Sequence, residues 1–144
     1  GSAAFSQLLS FSGVTAAITR FATDLPVHPL VLLILIQLVV MVLGMFLEQT
    51  SIILVTIPIF LPIIKVMEWD PIWFGTLMML NLEMATITPP FGLSLFVMKG
   101  IAPSDVTIGD IYMAAIPFIL INIVLMGLMI AFPGIVLWLP DMMD

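Results

Sequence analysis

The chain has 144 residues, 62% of them hydrophobic and 8% charged, with a mean hydropathy of +1.33. Soluble domains carry about a quarter charged residues, so the composition is that of a membrane protein, and three Lys and Arg against nine Asp and Glu cannot build the basic surface that nucleic acid requires. Without cysteine there are no disulfides, thiolate metal clusters or cysteine nucleophiles.

A membrane helix needs ~20 apolar residues to cross a core ~30 Å thick, which leaves room for roughly four or five crossings or half-crossings. The chain opens on Gly1 and Ser2 with no basic segment and no cleavage site. It reads as part of a larger membrane protein, or as a chain beginning with a Gly-Ser pair left by cloning. Residues 1–28 read as a membrane or interfacial helical segment and linker, with no formal charge before Arg20 and a boundary at Asp24, Pro26, His28 and Pro29.

Residues 29–64 are uncharged except at Glu48. As one span, Leu30 to Ile64 would be about 50 Å long at 1.5 Å per residue, too long for the membrane core even when tilted. The preferred reading is a helical hairpin with its tip near 44–51, and a single broken span is the other. Residues 65–72, with Glu68, Trp69 and Asp70, read as a turn at the bilayer interface. Residues 73–99 suit one discontinuous transmembrane helix broken at 86–92, because Pro89 and Pro90 both lack a donor N–H and clash with the preceding turn. A polar link over 100–110 leads to a C-terminal transmembrane helix over 111–140, bent or capped at Pro117 and Pro133. The expected fold class is an all-α integral membrane protein with a helical hairpin and a discontinuous transmembrane helix, surrounded by the lipid bilayer.

Catalysis is not expected. His28 is the only histidine, no Gly-x-Ser-x-Gly elbow occurs, and no cofactor is implied. The chemistry points instead to the two breaks, since non-helical backbone at membrane depth survives only where it is buried in protein or lines a wet cavity. Paired interrupted segments are the best sequence pointer to a transporter's binding site. The first break holds Glu48, Gln49, Thr50 and Ser51; the second holds Thr86, Thr88, Pro89, Pro90 and Gly92. A hard cation such as sodium prefers oxygen donors, which makes Thr50, Ser51 and Thr88 candidate sodium ligands beside released carbonyls. The alternative for each hydroxyl is an ordinary helix cap or interhelical hydrogen bond. Gly44, Asn81 and Glu83 are supporting residues, with Asn81 expected to bond released backbone groups. Glu48 and Glu83 could also act as a proton relay.

The ordered series Gly44-Met45-Phe46-Leu47-Glu48, Pro58-Ile59-Phe60-Leu61-Pro62, Asp70-Pro71-Ile72-Trp73-Phe74-Gly75, Asn81-Leu82-Glu83 and Thr88-Pro89-Pro90-Phe91-Gly92 closely resembles the C-terminal half of the large membrane subunit of TRAP transporters, the tripartite ATP-independent periplasmic family. The family commonly has Asp where Glu48 stands. The resemblance implies the second inverted repeat of an elevator-type secondary transporter in a bacterial inner membrane, with sodium as coupling ion and small carboxylate-bearing solutes as cargo. It implies that the tip from Glu48 to Ser51 and the loop from Thr88 to Gly92 meet at a sodium site next to the substrate. Implied partners are the remainder of the large permease subunit with the first inverted repeat, a small four-helix membrane subunit, and a periplasmic substrate-binding protein. It would place Arg20 and Lys65 outside, although two cations against Lys99 decide nothing by the positive-inside rule. A non-catalytic membrane anchor or assembly subunit, and a proton-coupled carrier, are the competing readings.

Overall fold

The computed structural model describes residues 28–143 without interruption, together with residues 4, 7, 8, 11–13, 16, 17, 20, 21, 24 and 26. The expected segment over 1–28 therefore falls largely outside the described residues. From Pro29 onward the chain is helical: α1 (Pro29–Phe46), α2 (Gln49–Val66), α3 (Pro71–Thr86), α4 (Leu93–Ile101), α5 (Ile108–Ala131) and α6 (Gly134–Asp141). There is no strand among the described residues. α1, α2 and α5 are long and apolar enough to cross a membrane, and the protein is an all-helical integral membrane protein.

Each boundary has a local cause. His28 caps α1 through its Nδ1, which accepts the Leu30 N–H at 3.2 Å, and Pro29 needs no donor in the first turn. Glu48 caps α2 and Asp70 caps α3, the latter accepting the N–H groups of Ile72 and Trp73 at 2.8 and 3.1 Å. Between α2 and α3 the chain closes through a Schellman turn: Trp69 N–H reaches the Ile64 carbonyl and Glu68 N–H the Lys65 carbonyl, with Glu68 at φ 55°. α2 continues through Pro58 and Pro62, and Thr56 Oγ1 donates to the Ile52 carbonyl at 2.7 Å. A reciprocal capping box between Thr107 and Asp110 starts α5, which brings the last residues of the expected polar link into the helix.

The stretch 111–140 is not one helix. α5 runs through Pro117 but stops at Ala131, and α6 begins at Gly134. Pro133 has no N–H and forces the residue before it out of the helical region; Phe132 accordingly has φ −129° and ψ 75°.

α3 is the central helix, burying Trp73, Phe74, Leu77, Met78, Leu82, Met84 and Ala85. Its neighbours fix the topology. α1 runs parallel to it, with Gln37 beside Asn81 and Gly44 against Ala85. α2 runs antiparallel, with Gln49 at Glu83 and the rings of Phe60 and Phe74 5.9 Å apart. α1 and α2 therefore form a hairpin whose tip is Leu47-Glu48. α5 is antiparallel to α3, since the Trp73 indole N–H donates to the Met129 carbonyl at 2.8 Å and the Tyr112 hydroxyl to the Pro90 carbonyl at 2.9 Å.

α5 serves as a ruler. From Trp73 to Ala85 α3 climbs about 18 Å at 1.5 Å per residue, whereas α5 climbs about 31 Å from Met129 back to Ile108. The hairpin tip and the end of α3 thus stop about 13 Å short of the end of α5, a helix long and apolar enough to cross a membrane. His28, Lys65 and Glu68 belong to one face of the membrane and Ser104 to the other. Single cysteines placed at His28 and Glu68 in this cysteine-free chain should react with an impermeant thiol reagent from the same side, and a cysteine at Ser104 from the opposite side. Labelling of the Ser104→Cys variant from the Glu68 side would overturn the arrangement.

Candidate functional site

Two helix C-termini and two helix N-termini meet at this buried level. The C-termini belong to the parallel helices α1 and α3. They are held together where Gly44 lies against Ala85 and Leu82, and where the rings of Phe46 and Phe91 sit 4.8 Å apart. Close approach of small residues is how membrane helices pack when lipid is as apolar as their side chains. The N-termini are those of α2 and α4.

Glu48 is exposed at the hairpin tip, and its carboxylate accepts the N–H groups of Thr50 at 2.8 Å and Ser51 at 3.0 Å and the Ser51 hydroxyl at 3.3 Å. The positive end of α2 is thereby neutralised. Gln49 ties the tip to α3, its Nε2 donating to Glu83 Oε2 at 3.2 Å and to the Leu82 carbonyl at 3.5 Å. Thr50 and Ser51 are exposed and make no hydrogen bond to Thr86 or Thr88 among the described residues.

At the second break the carbonyls released by the end of α3 are mostly recaptured. Thr86 Oγ1 donates to the Glu83 carbonyl at 2.8 Å, buried Thr88 Oγ1 to the Met84 carbonyl at 2.7 Å, and Thr88 N–H to the Ala85 carbonyl at 3.2 Å. The Thr86 carbonyl accepts no hydrogen bond from the loop that follows. The Thr88 carbonyl accepts from Gly92 N–H at 3.0 Å. These two oxygens flank Gly92 so tightly that a Cβ there would lie 2.5 Å from one and 2.9 Å from the other. The Pro89–Pro90 bond is cis. Gly92 is the N-cap of α4 and offers no side-chain cap; with Gly92 N–H on the Thr88 carbonyl and Leu95 N–H on the Gly92 carbonyl, the N–H groups of Leu93 and Ser94 remain available.

The hydroxyl protons of Ser51, Thr86 and Thr88 are thus committed to caps, while their oxygens keep lone pairs. Among the described residues no three His, Asp or Glu side chains gather as a metal cluster. The donor set at the junction is instead hydroxyls and carbonyls, which suits a hard monovalent cation better than a transition metal.

Asn81 does not bond released backbone at the break. It is buried, and its Nδ2 donates to the backbone carbonyl and the Oε1 of Gln37 at 2.6 and 2.8 Å, which ties α3 to α1. Gln37 is a residue that sequence reasoning passed over, and so is Tyr112, whose hydroxyl holds the Pro90 carbonyl. The signals were there: Gln37 is the lone amide in the apolar run from Leu30 to Leu47, and Tyr112 is the only tyrosine.

Residues 1–135 match the family model described as "Tripartite ATP-independent periplasmic transporter, DctM component". The chain belongs to that family. It is similar to the C4-dicarboxylate TRAP transporter large permease protein DctM of Pseudomonas aeruginosa, at 33% identity over 95% of this chain and 32% of that protein. It is similar also to the sialic acid TRAP transporter large permease protein SiaM of Vibrio cholerae (31%, covering 80% of this chain and 26% of that protein). A third relative is the ectoine/5-hydroxyectoine large permease protein UehC of Ruegeria pomeroyi (31%, covering 97% and 32%). These relatives are named as permeases, not enzymes. The chain spans about a quarter to a third of the length of these curated relatives.

Proposed function

We propose that the chain is the second inverted repeat of a large TRAP permease in a bacterial inner membrane, part of a transporter that takes up small carboxylate-bearing solutes, driven by a sodium gradient, by an elevator motion. One observation carries this reading: the hairpin tip lies against the end of α3 where the discontinuous helix breaks, joined through Gln49 and Glu83. Released carbonyls at the ends of α1 and α3 put the negative ends of two helix dipoles where a sodium ion would be held, and Thr88 adds a buried hydroxyl oxygen. The uncapped N–H groups opening α4 offer the positive end to a solute carboxylate. Glu48, by contrast, supports the site by capping α2. The named cargoes of the first two relatives, C4-dicarboxylates and sialic acid, fit an anionic class. In the tripartite scheme the partners are the remainder of the permease, a small four-helix membrane subunit and a periplasmic binding protein that delivers the solute.

The test is a sodium titration of uptake in vesicles containing the complete transporter. Thr88→Ala removes an oxygen donor and should raise the sodium concentration for half-maximal uptake by more than about 100-fold, beyond the range of about 10- to 100-fold typical of losses around a ligand. Thr88→Ser keeps the hydroxyl and should stay near the parent. Glu48→Gln should weaken uptake and leave it sodium-dependent. A normal sodium response in Thr88→Ala, with Glu48→Gln becoming sodium-independent, would reverse the roles.

A further inference from the structure

An open groove of about 680 Å³ lies between α4 and α5, walled by Leu95, Met98, Ile111, Ala115 and Phe118, with Glu83, Ser94, Asp110 and Asn122 as its polar lining. Asp110 is committed to the capping box at the start of α5. The other three are poorly matched: Glu83 accepts only from Gln49, and Ser94 and Asn122 make no side-chain hydrogen bond among the described residues. By the same ruler, Glu83 stands about 15 Å and Asn122 about 10 Å above the level of Trp73 and Met129. Both are inside the apolar slab.

A carboxylate at that depth is paired with a cation, protonated, or wetted. No cationic side chain contacts Glu83 among the described residues. Lys99 Nζ donates to the Val106 carbonyl at 2.5 Å, and Lys65 lies in the last turn of α2 at the opposite end of the fold. Along the groove Ala102, Ala114 and Ala115 allow the backbone of a neighbouring helix to come close. The relatives are about three times as long as this chain, and a permease of that length has further segments to supply one. We propose that the groove seats a membrane helix from the part of the permease outside this chain, and that this helix carries one Lys or Arg whose cationic group pairs with Glu83. The inference rests on the chain being part of a longer permease and is independent of sodium coupling.

The experiment uses the full-length permease with its partner subunits. With p-benzoylphenylalanine in place of Ala114, irradiation should join the groove to a peptide of the same polypeptide beyond these 144 residues, from an apolar segment containing a Lys or Arg. Adducts with lipid, with a second copy or with another subunit would overturn the assignment, as would the absence of any adduct. Glu83→Lys should then lower the melting temperature of the purified complex, and exchanging the partner cation for Glu in the same molecule should restore most of it. Failure of the exchange to restore stability would sink the ion pair. Glu83→Gln should also lower the melting temperature; a variant that melts like the parent while its sodium response shifts would make Glu83 part of the ion site instead. Because melting needs no transport, these readouts stand even if sodium-driven uptake fails its own test.

Discussion

Gly92→Ala should disable the permease. The added Cβ would lie 2.5 Å from the Thr86 carbonyl oxygen and 2.9 Å from that of Thr88, and neither is a flexible side-chain end that can swing away. Overpacking usually costs about 1–3 kcal/mol, and the upper end applies here because backbone has to move. The loop from Ile87 to Phe91 would open, carrying both oxygens out of position. Displacements of about 1 Å at a reacting centre can cost about 100-fold, and uptake in reconstituted vesicles should fall by a comparable factor while the protein still reaches the membrane. Gly100→Ala is the control, since nothing lies within 4 Å of its Cβ position; it should keep parental uptake and gain up to about 1 kcal/mol of helix propensity. Equal uptake by the two variants would refute the steric account.

Gly44→Ala should be nearly as damaging, yet reparable. Its Cβ would lie 2.6 Å from the Cβ of Ala85, prising α1 from α3 and pulling on the Gln37–Asn81 pair along the same seam. The expected loss is again about 1–3 kcal/mol, read as a lower melting temperature in detergent. Here the obstacle is a methyl group, so Ala85→Gly in the same molecule should restore most of the stability, even though Ala85→Gly alone costs up to about 1 kcal/mol in helix propensity. Additive losses in the double variant would mean that the two positions do not meet.

Glu48 and the Pro89-Pro90 pair were legible in the sequence because each contradicts its surroundings: a carboxylate inside an apolar run, and consecutive residues without a backbone donor. Such contradictions mark where helices stop. What the helices do relative to one another is not written in that way. The parallel packing of α1 on α3 depends on Gly44 meeting Ala85 and on Gln37 meeting Asn81, contacts between positions far apart in the chain. The partner of Asn81 was for that reason misassigned. The break at Phe132 was visible in Pro133, but an uninterrupted run of apolar residues around it favoured continuity. At the candidate site, residue types announced oxygen donors; that the protons of Ser51, Thr86 and Thr88 close caps, leaving only their lone pairs, depends on backbone geometry.

If the proposed site holds a cation, the α5 ruler implies that its occupancy depends on the membrane potential. A cation held at the level of the hairpin tip would sit about six-tenths of the way across the ~30 Å core, measured from the tryptophan end. One elementary charge crossing the full membrane potential exchanges about 2.3 kcal/mol per 100 mV. If the potential falls evenly, reaching the site from the polar-link face would involve about 0.9 kcal/mol per 100 mV, and from the tryptophan face about 1.4. Cation affinity measured from the two faces should therefore respond to a clamped potential with opposite signs and unequal slopes, the steeper belonging to the tryptophan face.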